Sequence, residues 1–237
     1  MIINDLIKGR LVKRYKRFLA DVDVGGEIFT AHCPNSGSMK SLLRSGNYAY
    51  ITKSDDPKRK LQYTLQFIGN DNWVACVNTM LPNKIVYESI LDGTIPLDYD
   101  IIKREVKYGN NSRIDIYLEK NGSKTFLEVK NVTLMEEDAP GIAQFPDAIT
   151  TRGQKHLKDL CDEAKEGNKA IMLYLVNRSN CSRFKVANHI DKDYYKLFKR
   201  AEDCGVEIIA YKSNIEVEDY PKMSGRISVG EKLKILG

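Results

Sequence analysis

Residues 113–131 read RIDIYLEKNGSKTFLEVKN, and this stretch decides the fold of the second part of the chain. Asn121-Gly122 is the strongest short signal for a β-hairpin, and runs rich in apolar residues flank it. If these two residues form the loop, Asp115 lies directly opposite Glu128 on the paired strand. The stretch therefore predicts a hairpin that carries two carboxylates on one face.

These two carboxylates have a chemical consequence. Directly opposed residues have Cβ atoms roughly 5 Å apart, so Asp115 and Glu128 repel each other unless a cation lies between them or one is protonated. Mg²⁺ or Mn²⁺, held by one or two carboxylates, resolves the conflict. Lys130 shares the face of Glu128 and could hold a phosphate or a nucleophilic water. The pattern is typical of a metal-dependent phosphodiesterase, with Asp115, Glu128 and Lys130 as its catalytic residues.

A second interpretation of the hairpin needs no catalysis. Many exposed hairpins carry Asp, Glu and Lys on the face that meets water. The catalytic interpretation also depends on the register of the hairpin, because a slip of one residue would put Asp115 and Glu128 on opposite faces of the sheet.

Composition limits the class of protein. The 237 residues suffice for one large domain or two small ones, and 42% hydrophobic residues support an ordinary core. No apolar run has the length of a transmembrane helix, and the first residues lack the pattern of a secretory signal, so we expect no membrane partner. The cysteines are odd in number, scattered and without a CxxC pair, which predicts reduced thiols in a cytoplasmic protein and argues against zinc. No pattern sets an oligomeric state.

The positive charge is concentrated in the first third of the chain. The net charge is +5, and residues 1–82 contain 12 Lys and Arg against seven Asp and Glu. Basic residues interleaved with aromatic ones suit a polyanion that also offers flat bases, so we expect nucleic acid as the partner. A solvated basic face without a partner would give the same pattern. The candidate nucleic-acid contacts here are Arg10, Lys13, Arg14, Lys16 and Arg17.

The first 82 residues predict an all-β domain. Five segments rich in β-branched and aromatic residues alternate with turn signals, which fits a small OB-type barrel, although another all-β topology would look similar. We expect the domain boundary near the MLPNK stretch at 80–84, giving domains 1–82 and 83–237. The predicted strands are 10–23, 27–33, 47–53, 61–69 and 73–80.

The second part alternates between strands and helices, which predicts a mixed α/β sheet. A loop is expected at 134–146, and the tail from about 218 reads as a short extension. The predicted helices are 85–92, 147–166 and 192–205, and the predicted strands beside the hairpin are 102–108, 169–177 and 206–212.

The helix predicted over 147–166 offers further candidates. Arg152, Lys155 and His156 lie near its start, where backbone N–H groups favour a phosphate. We therefore add Arg152 and Lys155 to the candidate nucleic-acid contacts. Asp147 is expected as a helix cap or first-turn acid, with a third carboxylate for the metal as the alternative.

Several motifs together resemble those of the sugar fermentation stimulation protein A family. The resemblance covers nearly the whole chain in order. The motifs are RLVKRYKRFLADV (10–22), HCPNSGSM (32–39), CVNT (76–79), EVKYG (105–109), SRIDIYL (112–118), EVKNVTL (128–134), FPDAITTRGQKHL (145–157) and GVEIIAYK (205–212).

This resemblance implies an N-terminal OB-fold and a C-terminal domain of the restriction-endonuclease-like PD-(D/E)xK type. It implies a bacterial or archaeal cytoplasmic protein that binds DNA, more than RNA, and is linked to regulation of sugar metabolism. The nuclease motif matches Asp115, Glu128 and Lys130, although Ile114 stands where the general motif has proline. Basic or amide groups on the following helix often support such a site, and Arg152, Gln154 and Lys155 occupy such positions.

Two functions remain open at this point. One is a metal-dependent nuclease that holds Mg²⁺ or Mn²⁺ between Asp115 and Glu128, with the Val129 carbonyl as a further ligand. The other is a nucleic-acid-binding regulator without cleavage, and a weaker third is an adaptor for an acidic protein. The chain lacks a helix-turn-helix pattern, which counts against a repressor of that type.

Overall fold

The computed structural model describes residues 1–109, 112–218 and 222–237. In its N-terminal part, strands β2 to β6 pair in the antiparallel order β4-β3-β2-β5-β6, and a parallel pairing of β4 with β6 closes the barrel. The barrel encloses an apolar core that includes Leu11, Val22 and Leu65. An OB-type barrel is thereby confirmed. The strands are β1 (Ile2–Ile3), β2 (Leu6–Tyr15), β3 (Leu19–Val24), β4 (Glu27–His32), β5 (Tyr48–Lys53), β6 (Tyr63–Asn70) and β7 (Trp73–Cys76).

One strand prediction in the barrel was wrong. The segment 10–23 is two antiparallel strands, β2 and β3, joined by a tight turn. Lys16 and Arg17 form this turn with φ angles of 47° and 63°. Non-glycine residues rarely adopt this left-handed conformation, and a Lys-Arg pair carries no turn signal.

The second part is built on a seven-stranded mixed sheet in the order β1-β15-β14-β12-β10-β9-β8. Strands β10, β12 and β14 run parallel, whereas β8, β9 and β10 form an antiparallel meander. The elements are α1 (Pro82–Leu91), β8 (Ile101–Tyr108), β9 (Ser112–Lys120), β10 (Ser123–Val132), β11 (Ile142–Phe145), α2 (Thr151–Lys165), β12 (Lys169–Val176), β13 (Arg183–Val186), α3 (Lys192–Asp203), β14 (Glu207–Glu218), β15 (Ser224–Lys232) and β16 (Lys234–Leu236).

Two apolar layers cover the sheet. On one face, α2 and α3 pack through residues such as Leu157 and Phe198. On the other face, α1 packs beside the barrel, and Phe67 of β6 belongs to the same core as Ile85 of α1. The barrel and the α/β domain therefore share one buried core, which fixes the position of the barrel against the sheet.

The structure corrects two further predictions about the second part. The tail forms β15 and β16 rather than a short extension, and β1 from the chain start pairs with β15. The loop expected at 134–146 contains β11, which pairs with the unpredicted β13. These strands are short or pair with distant segments, so local patterns carry little sign of them.

Within the described ranges, no helix combines the length and the apolar character needed to cross a membrane. The five cysteines are all free thiols, and four of them are buried.

Candidate active site

The hairpin that begins the site has the predicted turn and register. Asn121 and Gly122 both have positive φ, as a two-residue hairpin turn requires. The antiparallel pairing runs from this turn to Ile116 opposite Leu127. The predicted register is thereby confirmed, and the next opposed positions along it are Asp115 and Glu128.

Asp115 is held by two neighbouring elements. Its Oδ2 accepts a hydrogen bond of 2.8 Å from the backbone N–H of Val129 on β10. Its Oδ1 accepts one of 2.6 Å from Nδ2 of Asn83 on α1. The carboxylate group is therefore fixed in orientation by the neighbouring strand and by the helix on the other face of the sheet.

Glu128 is buried, with 2% of its surface exposed. Its Oε1 accepts a 2.7 Å hydrogen bond from Nζ of Lys130 and contacts Nδ1 of His156. Its Oε2 is buried and has no hydrogen-bond partner among the described residues. A buried carboxylate oxygen without a partner is costly, so this atom lacks the donor or cation that it requires.

The two carboxyl groups have opposite pKa shifts. Burial, and then the negative charge of Glu128, raise the pKa of Asp115 to about 7. Burial also raises the pKa of Glu128, but the Lys130 ammonium and the His156 hydrogen bond outweigh it, and the net pKa lies below its usual value. Without a cation, the pair therefore tends to keep a proton on Asp115 near neutral pH.

This arrangement predicts a pH-dependent stability. The folded protein holds the Asp115 proton between its ordinary pKa of 3.8 and about 7, and the unfolded chain does not. The contribution of Asp115 to stability therefore falls as pH rises through this window, by about 4 kcal/mol. We expect the variant Asp115→Asn to lack this fall. Urea unfolding of both proteins in EDTA, from pH 4.5 to 8, measures the difference. Parallel curves of unfolding free energy against pH for the two proteins would contradict the raised pKa assigned to Asp115.

His156 joins the site, although the sequence placed it only near the helix start. It is buried on α2, its Nδ1 contacts Glu128 Oε1, and Lys130 Nζ lies 3.1 Å from the same nitrogen. Arg152, one helical turn earlier, donates to His156 Nε2 at 3.4 Å. Acceptance at Nε2 leaves the proton on Nδ1, which then donates to Glu128. The i, i+4 spacing of Arg152 and His156 puts both residues on one face of the helix, and this spacing was the sequence signal that could have added His156 to the site.

Lys155 and Asp147 have other contacts. Lys155 Nζ lies 2.8 Å from Asp159 Oδ2 and also contacts Ser112. Asp147 precedes α2, and its Oδ2 accepts hydrogen bonds from the backbone N–H of Ser38, at 2.7 Å, and from that of Met39. Asp147 therefore binds the barrel rather than capping the helix.

The cap of α2 is Thr150, whose hydroxyl accepts from Gly153 N–H at 3.0 Å. Gln154 follows in the first turn and donates to both carboxylate oxygens of Asp191, at 3.0 and 3.1 Å. Asp191 in turn caps α3. Thr150 and Gln154 therefore fix the start of the helix that carries Arg152 and His156.

The basic residues of β2 are not equivalent. Arg10 stacks over Tyr48 at 4.1 Å, and Lys13 lies 3.7 Å from Asp21. Arg14 donates to backbone carbonyl groups of its own turn and of the loop after β4. Lys16 and Arg17 follow in the turn, and both are exposed. Among the described residues, no side chain pairs with their charged groups.

The donor set fits a hard divalent cation. No cluster of three His, Cys, Asp or Glu side chains with metal-site geometry occurs within residues 1–109, 112–218 and 222–237. Mg²⁺ does not need one, because it is usually bound by one or two carboxylates, waters and substrate phosphates. Asp115 and the unpartnered Glu128 Oε2 offer oxygen atoms only, which suits Mg²⁺ or Mn²⁺ better than zinc.

Comparison with known proteins identifies the family. The model of the SfsA N-terminal OB domain matches residues 12–77, and that of the sugar fermentation stimulation protein RE domain matches 80–219. A sugar fermentation stimulation protein homolog from Pelagibacter ubique (strain HTCC1062) is 47% identical over 233 residues, covering 98% of this chain and 97% of the relative. One from Geobacter sulfurreducens is 43% identical over 234 residues, covering 98% and 96%.

A solved structure agrees with these matches. It is that of Pyrococcus furiosus SfsA in complex with Ca²⁺, with a TM-score of 0.85, 26% identity, and coverage of 100% of this chain and 98% of that one. Its agreement over the full length includes both the barrel and the mixed sheet that carries the carboxylate pair. The chain therefore belongs to the sugar fermentation stimulation protein family.

Proposed function

We propose that this protein is a metal-dependent phosphodiesterase that cleaves nucleic acid. The observation that carries the proposal is the buried Oε2 of Glu128, a carboxylate oxygen that has no partner among the described residues, in a site that also holds Asp115 and Lys130. A divalent cation would satisfy this oxygen and remove the repulsion between the two carboxylates. The Ca²⁺ in the Pyrococcus relative supports this, because Ca²⁺ also prefers oxygen ligands.

Each residue has a distinct role. Asp115 and Glu128 would hold Mg²⁺ or Mn²⁺, which when bound neutralises phosphoryl charge and lowers the pKa of a water. Lys130, fixed by its 2.7 Å hydrogen bond to Glu128, orients that water or stabilises the negative charge that develops on the phosphate. His156 is a positioning residue that holds Glu128 Oε1 from α2.

Charge and thiol chemistry complete the proposal. The basic turn of the barrel, Lys16 and Arg17, suits the phosphates of a nucleic acid, with DNA favoured over RNA. Free thiols in all five cysteines fit a reducing compartment such as the cytoplasm. A non-cleaving DNA-binding regulator of sugar metabolism is the alternative, since the charge of the barrel does not depend on the carboxylate pair.

A cleavage assay separates the two functions. Labelled single-stranded and duplex DNA and RNA are incubated with the protein in Mg²⁺, Mn²⁺, Ca²⁺ or EDTA. We expect cleavage in Mg²⁺ or Mn²⁺ and none in EDTA, because the carboxylates need a cation to approach a phosphate. Calorimetric titration with Mn²⁺ is the parallel measurement. If no substrate is cleaved in any metal and no metal binds even beside an oligonucleotide, the regulator is the better assignment.

A further inference from the structure

A partly exposed aromatic pair lies on the barrel surface. Phe18, the last residue of the β2–β3 turn, is 47% exposed. Its ring stacks with that of His32, at the end of β4, with centroids 6.4 Å apart and an interplanar angle of 25°. Phe18 therefore presents an aromatic surface to solvent at this turn.

Three basic residues lie near this pair in the sequence or in the sheet. Lys16 and Arg17 immediately precede Phe18, and both hold left-handed backbone conformations that Asn or Gly would adopt at lower cost. Arg59 lies near the second ring, because its Nη2 donates to the Thr64 hydroxyl at 2.8 Å and Thr64 pairs with His32 between β6 and β4. Burial, and then the charge of Arg59, lower the pKa of His32. Two rings with three basic residues nearby match a ligand that has both phosphates and bases.

The same turn is clamped to the loop that follows β4. The Arg14 guanidinium donates to the carbonyl of Arg17 at 2.9 Å, to that of Asn35 at 2.7 Å and to that of Gly37 at 3.0 Å. The backbone N–H of Cys33 also donates to the carbonyl of Phe18 at 2.8 Å. These hydrogen bonds fix the position of the turn, and of Phe18 within it, relative to the loop.

This loop lines a cleft at the junction of the two parts of the chain. A 170 Å³ cleft between the barrel and the α/β domain is lined by Asn35, Gly37, Asn131 and Gln144, among others. Asn131 is the residue after Lys130. His32 precedes Asn35 by three residues, which span at most about 11 Å of chain. The aromatic pair and the cleft therefore lie within the reach of a few nucleotides.

We propose that Phe18 and His32 form a stacking platform for a base of single-stranded nucleic acid, whose backbone contacts Lys16 and Arg17 on its way to the cleft lined by Asn35 and Asn131. A single strand is required, because the faces of paired bases inside a duplex are covered by their neighbours. The direction of the nucleic-acid strand rests on the proposed function. The substrate class that follows is single-stranded nucleic acid.

The test separates stacking from charge and from cleavage. Binding of a fluorescein-labelled single-stranded oligonucleotide is measured by anisotropy in EDTA, for wild type, Phe18→Leu and Phe18→Tyr. We expect Phe18→Leu to raise the Kd about 5- to 30-fold, as loss of one stacked base does, and Phe18→Tyr to bind like wild type. An abasic oligonucleotide of equal length should bind wild type and Phe18→Leu equally. DNA and RNA arms show which strand the platform prefers.

Leu91→Ala is the matched control, because Leu91 is 49% exposed and lies at the end of α1, outside the barrel that carries Phe18 and His32. We expect its Kd to equal that of wild type. An unchanged Kd in Phe18→Leu, or an equal loss for the abasic strand, would overturn the platform. The binding assay is run in EDTA without metal, so the measured Kd does not depend on whether the protein cleaves nucleic acid. Conversely, cleavage with an unchanged Phe18→Leu Kd would remove the platform and keep the nuclease.

Discussion

Replacing Glu128 with glutamine is expected to reduce metal-dependent cleavage by at least about 100-fold, because loss of a group that merely supports a metal ligand already costs about 10- to 100-fold. Glutamine keeps the shape of the side chain but removes the charge and the anionic oxygen that now lacks a partner. Single-turnover cleavage in Mn²⁺ measures the rate, and calorimetric titration measures the metal. Binding of the oligonucleotide in EDTA should be retained, since the basic turn is intact.

Two further variants make this result interpretable. Glu207→Gln removes a half-exposed carboxylate on β14 that pairs with Lys169, and it should cleave like wild type. Asp115→Asn should lose cleavage as Glu128→Gln does, because it removes the other carboxylate of the pair. Thermal unfolding checks that each variant is folded. A folded Glu128→Gln protein that cleaves at the wild-type rate would show that the metal and the chemistry are elsewhere.

Replacing Lys130 with methionine is expected to reduce cleavage by about 100- to 1000-fold, as removal of one charge-stabilising donor does. Methionine fills similar space without the ammonium group. Metal binding should persist, because an ammonium is not a ligand and both carboxylates remain. The pKa of Glu128 should rise, since Lys130 is the leading group that lowers it. The rate and the Mn²⁺ affinity are measured on the same preparation.

Lys169→Met is the control for this variant. Lys169 lies at the start of β12 in the same sheet, pairs with Glu207 on the surface and is not near the carboxylate pair. It should cleave normally. If Lys130→Met lost metal binding as completely as Glu128→Gln, Lys130 would act by holding Glu128 in place rather than in the chemistry.

The hairpin at the centre of the site could be predicted from sequence because its rules are local. Asn121-Gly122 adopts the left-handed conformations of a two-residue turn at low cost, and the turn then sets the register. Alternation along two strands places Asp115 opposite Glu128 and puts Lys130 on the same face. No distant contact is needed for any of these steps, which is why the structure shows the predicted pairing.

Predictions failed where a distant segment decides the conformation. Lys16 and Arg17 form a turn without turn residues, because Arg14 binds the carbonyls of that turn and of the 35–38 loop. Asp147 was expected at a helix start, but the N–H groups of Ser38 and Met39, more than 100 residues earlier, are its partners. Local propensity cannot register such contacts.

The sequence by itself determined an all-β first part, an alternating α/β second part and the opposed carboxylates, because alternation and turn chemistry act within a few residues. Only the tertiary structure decided that the first strands close into a barrel, that His156 reaches Glu128, that Glu128 Oε2 is buried with no partner among the described residues, and that β15 pairs with β14 in the sheet. Burial depends on which surfaces meet when separate elements pack, and packing brings together residues whose spacing along the chain carries no pattern.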